Sequence, residues 1–178
     1  MSNDKQLKDI IKQEFLKCAT DPSYFMNKYC SISHPTRGKI PFVLFPYQQD
    51  ALQQFKDNDY NIILKARQLG ISTLSAGYAL WMMTFHSDKN ILVVATKQDT
   101  AKNLVTKVRF MHSNLPTWLR NACTEDNKLS LKYSNGSQIK AVSSSEDAGR
   151  SEALSLLILD EAAFIDKIDV IWGAAQQT

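Results

Sequence analysis

The sequence has few cysteines, and their spacing does not suggest a covalent or metal framework. Cys18, Cys30 and Cys123 are the only three thiols in 178 residues, and no CxxC pair occurs. An odd number of widely spaced cysteines argues against a disulfide-rich fold and against a tetrahedral metal site. Cys30 and His34 could together bind a metal, but no second pair of ligands lies nearby in the sequence. They are therefore interpreted as an ordinary thiol and a loop histidine. Reduced thiols in a cytosolic compartment fit best.

Long hydrophobic runs and targeting signals are also missing. The longest apolar segment, LSAGYALWMMTF, is too short and too interrupted to span a membrane. The amino terminus is polar and charged where a secretory signal would be apolar. No internal repeat or low-complexity stretch is present, which argues against a repeat array and against disorder.

A strong charge of one sign is absent as well. The net charge of +3 is compatible with a nucleic-acid partner but does not by itself argue for one. With 44% hydrophobic and 22% charged residues, the chain has the composition of an ordinary globular protein. At this length it can bury one core, which predicts one domain with an appendage.

The amino-terminal part predicts a helical arm. Asn3 or Asp4 can cap a first helix, and the pair Asp21-Pro22 marks the start of a second one. The next segment, SHPTRGKIPFVLFP, is rich in proline and glycine, which predicts a loop. The resulting boundaries are 1–45 for the arm and loop and 46–178 for the main domain.

Helices and strands are predicted to alternate after this loop. Asparagine-glycine at 135–136 is a strong hairpin signal between alternating stretches. Continuous apolar strands that alternate with helices predict a parallel sheet covered on both faces, and therefore an α/β fold. The predicted strands are Asn61–Leu64, NILVVAT and ALSLLILDE, and the predicted helices run from Tyr47 to Phe55, from Gly70 towards Phe85, and through Ala101 to Met111.

The stretch KARQLGIST has the outline of a phosphate-binding loop. In such loops backbone N–H groups point at phosphates, a lysine neutralises charge, and a Ser or Thr hydroxyl binds Mg²⁺. Here Ile71 stands where the lysine usually follows Gly70, but counting five residues back reaches Lys65. This spacing predicts a displaced lysine, with Ser72 as the metal ligand and Thr73 beside it. The alternative is an ordinary turn followed by a helix cap.

A second motif, LLILDEAAF, places Asp160 and Glu161 at the carboxyl end of an apolar strand. In open α/β sheets this edge is where ligands bind. Asp160 is predicted to hold Mg²⁺ through its water shell, and Glu161 to polarise the water that attacks the γ-phosphate. The alternative is a strand that ends in a polar turn. Together with a phosphate loop earlier in the chain, the acidic pair favours a nucleotide hydrolase.

Four stretches in this order and spacing, FPYQQDAL, KARQLGIST, ILVVATKQDTA and GRSEALSLLILDEAAFID, resemble the ATPase domain of tailed-bacteriophage terminase large subunits. These are the motors that pump DNA into procapsids. The resemblance extends from about Tyr24 onward. It implies a P-loop NTPase of the additional-strand catalytic-glutamate type, with Walker A and B motifs, a parallel sheet flanked by helices, and ATP and Mg²⁺ as cofactors.

The implied activity is Mg²⁺-dependent ATP hydrolysis that drives double-stranded DNA into phage procapsids in the host cytoplasm. The implied partners are double-stranded DNA, the portal protein and the small terminase subunit. A homo-oligomeric ring is implied only on assembly, and no membrane is involved. The implied nucleotide-binding residues are Gln48, Lys65, Ala66, Arg67, Gln68, Leu69, Gly70, Ile71, Ser72 and Thr73.

Several single residues take roles from this resemblance. Gln48 would read the adenine edge, with Phe45 or Tyr47 near the base, although the adjacent Gln49 leaves the choice of glutamine open. Arg67 would be a catalytic residue together with Glu161, and would contact the γ-phosphate or sense its loss. The alternatives are a solvated glutamine at a helix start and a surface cation.

Three further residues are implied as coupling or trans-acting groups. Thr96 and Lys97 end the second strand at the same sheet edge and would couple to DNA or nucleotide. A capping threonine and a solvated lysine explain them equally well. Arg150 would reach a neighbouring subunit's nucleotide, or else has an ordinary surface role.

The sequence also departs from the family. It stops at WGAAQQT, where the family continues with another core strand and a nuclease domain, and it holds no further acidic cluster for two-metal cleavage. A missing last core strand, an absent nuclease function and reduced hydrolysis are therefore expected. Two alternatives remain: a helicase-like ATPase, or a non-hydrolysing module that binds nucleotide, DNA or a packaging partner.

Overall fold

The computed structural model describes residues 2–144 and 153–176 of the chain. Its helices are α1 (Ser2–Thr20), α2 (Pro22–Tyr29), α3 (Pro46–Asp57), α4 (Ile71–Phe85), α5 (Gln98–Ser113) and α6 (Ile168–Ala175). Its strands are β1 (Ser31–His34), β2 (Gly38–Pro41), β3 (Asn90–Ala95), β4 (Cys123–Asp126), β5 (Ser130–Tyr133), β6 (Gln138–Ser143) and β7 (Leu156–Leu159). Two short 3₁₀ turns lie at Thr117–Leu119 and Ala162–Phe164.

The main sheet has five strands in the order β4-β5-β6-β3-β7. Strands β6, β3 and β7 are parallel, whereas β4 and β5 run antiparallel to their neighbours. The α/β prediction is confirmed, but the sheet is mixed where a parallel one was expected. The antiparallel strands arise because the turn at Asn135 and Gly136 folds β5 directly back onto β6.

Strand β3, which lies between β6 and β7, carries the core on both of its faces. Its side chains alternate, so Ile91, Val93 and Ala95 belong to the main core while Leu92 and Val94 belong to a smaller one. The main core also contains buried residues of α1, α2, α4 and α5, and the smaller core includes Ile165 and Ile171. A strand buried on both sides explains why the run ILVVA within it is apolar throughout.

The strand predicted at Asn61–Leu64 does not form. Ile62 and Leu64 are fully exposed, at 100% and 102% of their reference surface. Within the described ranges, no strand pairs with this segment or with the outer edge of β7. The apolar pattern was correct for a strand, but a strand also needs a ladder partner, and these residues have none. A ring contact between Tyr60 and Trp172, with centroids 5.3 Å apart, lies beside the segment.

The loop predicted before α3 is in part a β-hairpin. Strand β1 pairs antiparallel with β2, and Gly38 has the left-handed φ of 67° in the turn. The His34 Nδ1 accepts hydrogen bonds from the backbone N–H groups of Thr36 and Arg37, both at 3.2 Å. Proline and glycine correctly indicated the turn. The two strands have only four residues each, which is too short for a recognisable alternation of apolar and polar residues.

The arm helices pack against α4 through aromatic and polar contacts. Phe15 and Phe25 meet Phe85 edge to face, with centroids 5.0 and 5.1 Å apart. The Trp81 indole N–H donates to the Cys18 carbonyl at 2.9 Å. None of the helices in the described part of the chain combines the length and apolarity needed to cross a lipid bilayer.

Glu14 joins α1 to α2 through three donors to a single carboxylate oxygen. The hydroxyls of Tyr24 and Tyr29 donate at 2.6 and 2.7 Å, and the Lys28 ammonium lies at 2.7 Å. The Lys28 contact, followed by the two tyrosine hydroxyls, lowers the pKa of Glu14 to about 2. The carboxylate is therefore bound in its ionised form.

This network predicts a pH-dependent attachment of α1 to α2. Because the pKa of Glu14 is lowered on folding, its contribution is complete above the ordinary value of 4.5 and is lost as the pH falls towards 2. Glu14→Gln should flatten the dependence of the melting temperature on pH in that window. Asp9→Asn, an exposed change on the same helix, should keep the wild-type slope. If the melting temperature changes with pH equally in wild type and both variants, Glu14 is not the group that titrates.

Candidate functional site

The loop before α4 is exposed and ends in a left-handed glycine. Residues 61–69 are all exposed, and Gln68 and Gly70 have φ angles of 66° and 71°. Gly70 is the N-cap of α4, and its side-chain-free backbone leaves the first turn without a side-chain cap. The amide end of the helix dipole therefore faces the loop, which is the arrangement that binds anions at helix starts.

The structure brings the two sequence motifs together. The Ser72 hydroxyl donates to Oδ1 of Asp160 at 3.0 Å, across 88 positions of sequence. Asp160 follows β7, and its backbone N–H donates to the Val94 carbonyl at 3.0 Å. The loop before α4 and the acidic pair that follows β7 therefore meet at the carboxyl edge of the parallel strands, as the sequence predicted.

Glu161 occupies an unusual backbone conformation beside this contact. Its φ and ψ of 57° and 42° are left-handed, and its side chain is exposed. A non-glycine residue in this region costs of order 1 kcal/mol, and such residues are enriched at functional sites. The turn directs the chain from β7 into the next 3₁₀ turn immediately after Asp160.

The loop cations lie in solvent. Lys65 and Arg67 are exposed, and neither forms an ion pair with another residue in the described ranges. Ile71 is only 9% exposed and packs in the main core. The position that usually holds the lysine is thus part of the core here, and the free cations of the loop come before Gly70.

Lys107 is a further cation near the site that sequence reasoning missed. It lies on α5 between the buried residues Leu104 and Val108, and its side chain is half-buried. Burial lowers the pKa of Lys107, the Asp160 carboxylate opposes that shift, and Lys65 adds to it. The sequence does contain a signal for this residue, because Lys107 lies on the apolar face of the predicted helix.

Gln48 is buried against the loop. It is 2% exposed, its Nε2 donates to the Leu69 carbonyl at 3.1 Å, and its Oε1 accepts from the Phe45 N–H at 3.1 Å. Its neighbour Tyr47 also donates to the Leu69 carbonyl, at 2.9 Å. Gln49 is exposed, with its Nε2 3.5 Å from the Leu44 carbonyl. Of the two glutamines, Gln48 is the one in contact with the loop.

The other predicted residues are less closely engaged. Thr96 is half-buried directly after β3, and Lys97 is exposed at the N-cap of α5. Both lie at the sheet edge that carries Asp160. Arg150 falls outside the described residues.

The family assignment rests on a match over most of the chain. Residues 62–178 match the model of the terminase large subunit, T4likevirus-type, N-terminal. The chain belongs to the terminase large-subunit family. This confirms the resemblance carried by the loop and the acidic strand.

A solved terminase has the same fold. The crystal structure of the HK97 bacteriophage large terminase matches with a TM-score of 0.70 at 22% sequence identity. The match covers 90% of this chain and 35% of that one, so the terminase chain described here spans about a third of that relative.

The polar groups of this terminase site suit a magnesium ion. Ser72 and Asp160 supply hydroxyl and carboxylate oxygens, the hard donors that Mg²⁺ prefers. No group of three or more His, Cys, Asp or Glu suited to a metal occurs among the described residues. Mg²⁺ commonly takes one or two protein ligands and fills its remaining positions with water and phosphate oxygens, so Ser72 as a direct ligand and Asp160 acting through the water shell fit this ion.

Proposed function

We propose that this chain is the Mg²⁺-dependent ATPase part of a terminase large subunit that translocates double-stranded DNA. The observation that supports it most is the 3.0 Å contact between the Ser72 hydroxyl and the Asp160 carboxylate. This contact joins the first turn of α4, the proposed phosphate-binding helix, to the acidic residue that follows β7. A P-loop NTPase requires that juxtaposition, because the same ion must contact both motifs.

Each part of the site has a distinct task in this proposal. The amide end of α4 binds phosphate oxygens, and Lys65 and Arg67 neutralise the charge that builds up on them. Ser72 and Asp160 would hold Mg²⁺, which supplies electrostatic stabilisation of the β- and γ-phosphates when bound. Glu161, exposed beside Asp160, takes a proton from the attacking water. Lys107 adds positive potential near Asp160.

The assembly context belongs to the same proposal. Double-stranded DNA would be held through its phosphates, without sequence readout. The portal protein and the small terminase subunit would be partners in a homo-oligomeric ring, acting in the cytoplasm of the infected host cell. Thr96, Lys97 and Arg150 are proposed to couple nucleotide, DNA and neighbouring subunits.

A non-hydrolysing module is the second candidate function. Residues 61–64 lead into the loop as an unpaired, exposed segment, so Lys65 is not held by a sheet strand. Binding without turnover would follow if the lysine is not fixed over the phosphates. ATP binding measured by calorimetry, with no phosphate released, would favour this candidate over the motor.

Ser72→Ala tests the proposed metal ligand. Loss of the hydroxyl should raise the Mg²⁺ concentration for half-maximal phosphate release by about 10-fold, since one ligand must be replaced by water. Phosphate release is titrated with Mg²⁺ with and without double-stranded DNA. Ser75→Ala, one turn further along α4 and equally half-buried, is the matched control. The same Mg²⁺ requirement in both variants would remove Ser72 from the site.

A further inference from the structure

The end of the phosphate-binding loop is held from α3 by two neighbouring donors. The Tyr47 hydroxyl and the Gln48 carboxamide both donate to the Leu69 carbonyl, at 2.9 and 3.1 Å. A carbonyl oxygen has two lone pairs, so this acceptor is fully used. Leu69 directly precedes Gly70, where α4 begins. The donors therefore fix the backbone at the point where the loop becomes a helix.

The opposite end of the Gln48 carboxamide is engaged as well. Its Oε1 accepts the backbone N–H of Phe45, the N-cap residue of α3, at 3.1 Å. The side chain thus connects the start of one helix to the loop that starts another. With 2% of its surface exposed, Gln48 offers almost nothing to a ligand in solvent.

Gly70 and Gln48 fit closely against each other. A Cβ built on Gly70 would lie 2.8 Å from the Gln48 Nε2, closer than such atoms approach in proteins, and the φ of Gly70 is 71°. Glycine therefore meets both a conformational and a steric requirement at this position. The contact makes Gln48 part of the wall of the loop.

Two aromatic rings beside Gln48 remain accessible. Phe45 and Tyr47 are 60% and 41% exposed, and their rings stack at 5.6 Å with an interplanar angle of 7°. Rings stacked on each other leave their outer faces for a third ring. Aromatic faces stack with any nucleobase, because every base has a π-face.

We propose that Gln48 is a positioning residue that holds the phosphate-binding loop, so that the base, which the family resemblance already places near Phe45 or Tyr47, is bound by stacking on that pair without a contact from Gln48. The inference rests on the proposed nucleotide site and deepens it. It differs from the role implied by the family resemblance, in which Gln48 reads the adenine edge. A buried carboxamide that is occupied at both ends holds the backbone, and the exposed rings contact the base. Because stacking does not distinguish the bases, the site should discriminate only weakly between adenine and guanine.

Binding of three ligands separates the two roles. Calorimetry of the full chain uses ATP, GTP and inorganic tripolyphosphate, which has no base. Gln48→Ala should weaken all three to a similar extent, by about 5- to 10-fold, because it loosens the phosphate loop. Phe45→Ala should weaken ATP and GTP by about 10-fold and leave tripolyphosphate unchanged. Gln53→Ala, on the exposed side of α3, is the control for loss of a glutamine.

The opposite pattern would overturn the proposal. If Gln48→Ala or Gln49→Ala weakens ATP while sparing GTP and tripolyphosphate, a carboxamide reads the base. If Phe45→Ala leaves ATP unchanged, the stacking assignment is wrong.

Hydrogen exchange tests the positioning role without nucleotide. The Leu74 N–H donates to the Gly70 carbonyl at 2.9 Å in the first turn of α4. Gln48→Ala should speed its exchange by about 10-fold, whereas Gln53→Ala should not. The His86 N–H, bonded to Met82 at the other end of α4, is the internal reference. Unchanged exchange at Leu74 would reject the positioning role, whereas a wild-type chain that binds none of the three ligands would reject the proposed function instead.

Discussion

Glu161→Gln is expected to reduce ATP hydrolysis by about 100- to 10,000-fold, the range that general-base catalysis contributes. Glutamine has the same size but cannot accept a proton from the attacking water. Glu161 is exposed and directly follows Asp160, whose carboxylate accepts a hydrogen bond from Ser72 in the first turn of α4. Because the substitution leaves the Ser72–Asp160 contact in place, ATP affinity should stay close to wild type. Single-turnover phosphate release and calorimetry measure the two effects separately.

The control for this variant is Asp166→Asn. Asp166 is exposed in the same part of the chain, so the change removes one negative charge without touching the proposed base. Its turnover should match wild type. Equal turnover in Glu161→Gln and wild type would show that another group activates the water.

Lys65→Ala is expected to lower kcat/KM by about 100-fold, as is typical when a charge that stabilises the transition state is lost. The sequence alone suggests a simple rescue, which is to restore lysine at Ile71 after the glycine. The structure predicts that this rescue fails. Ile71 is 9% exposed and packs in the main core, so a lysine there would destabilise the fold by about 2 kcal/mol.

The double variant Lys65→Ala/Ile71→Lys decides between the two positions. We expect no recovery of phosphate release and a lower melting temperature than Lys65→Ala alone. Lys128→Ala, an exposed lysine between β4 and β5, controls for the loss of one positive charge. Restored turnover in the double variant would place the catalytic ammonium after Gly70.

The candidate site was predictable because its parts are local motifs on regular elements. The order of the two motifs indicated that Ser72 and Asp160 lie at one sheet edge, and the structure places the Ser72 hydroxyl 3.0 Å from Asp160 Oδ1, although the strand predicted at 61–64 does not form. The helix that begins after Gly70 and the apolar strand β3 were likewise evident from the sequence, because periodicity and burial coincide there.

Features that depend on distant pairing were not predictable in this way. The apolar run at 61–64 satisfies every local criterion for a strand, yet strand formation depends on a partner elsewhere in the chain. The edge strand β4 is exposed along its whole length and therefore has no apolar alternation to detect. The approach of Lys107 to Asp160 is set by how α5 packs, which no local pattern encodes.

The orientation of Gln48 lies between these cases. Adjacent glutamines look equivalent in a sequence, and the resemblance left their roles open. Helical geometry distinguishes them, because Gln48 lies four residues before the buried Leu52 and shares its face. The phase of α3 is therefore a signal, unused in the prediction, for which carboxamide is buried, although not for its contact with the loop.

The unpaired segment before the loop has a consequence for how this chain behaves at high concentration. Ile62 and Leu64 project into solvent, and in the described part of the chain the outer edge of β7 has no ladder partner. A free strand edge beside exposed aliphatic side chains is a template for intermolecular β-pairing. Aggregation of the isolated chain should therefore begin at these two segments, which both lead directly into the candidate active site.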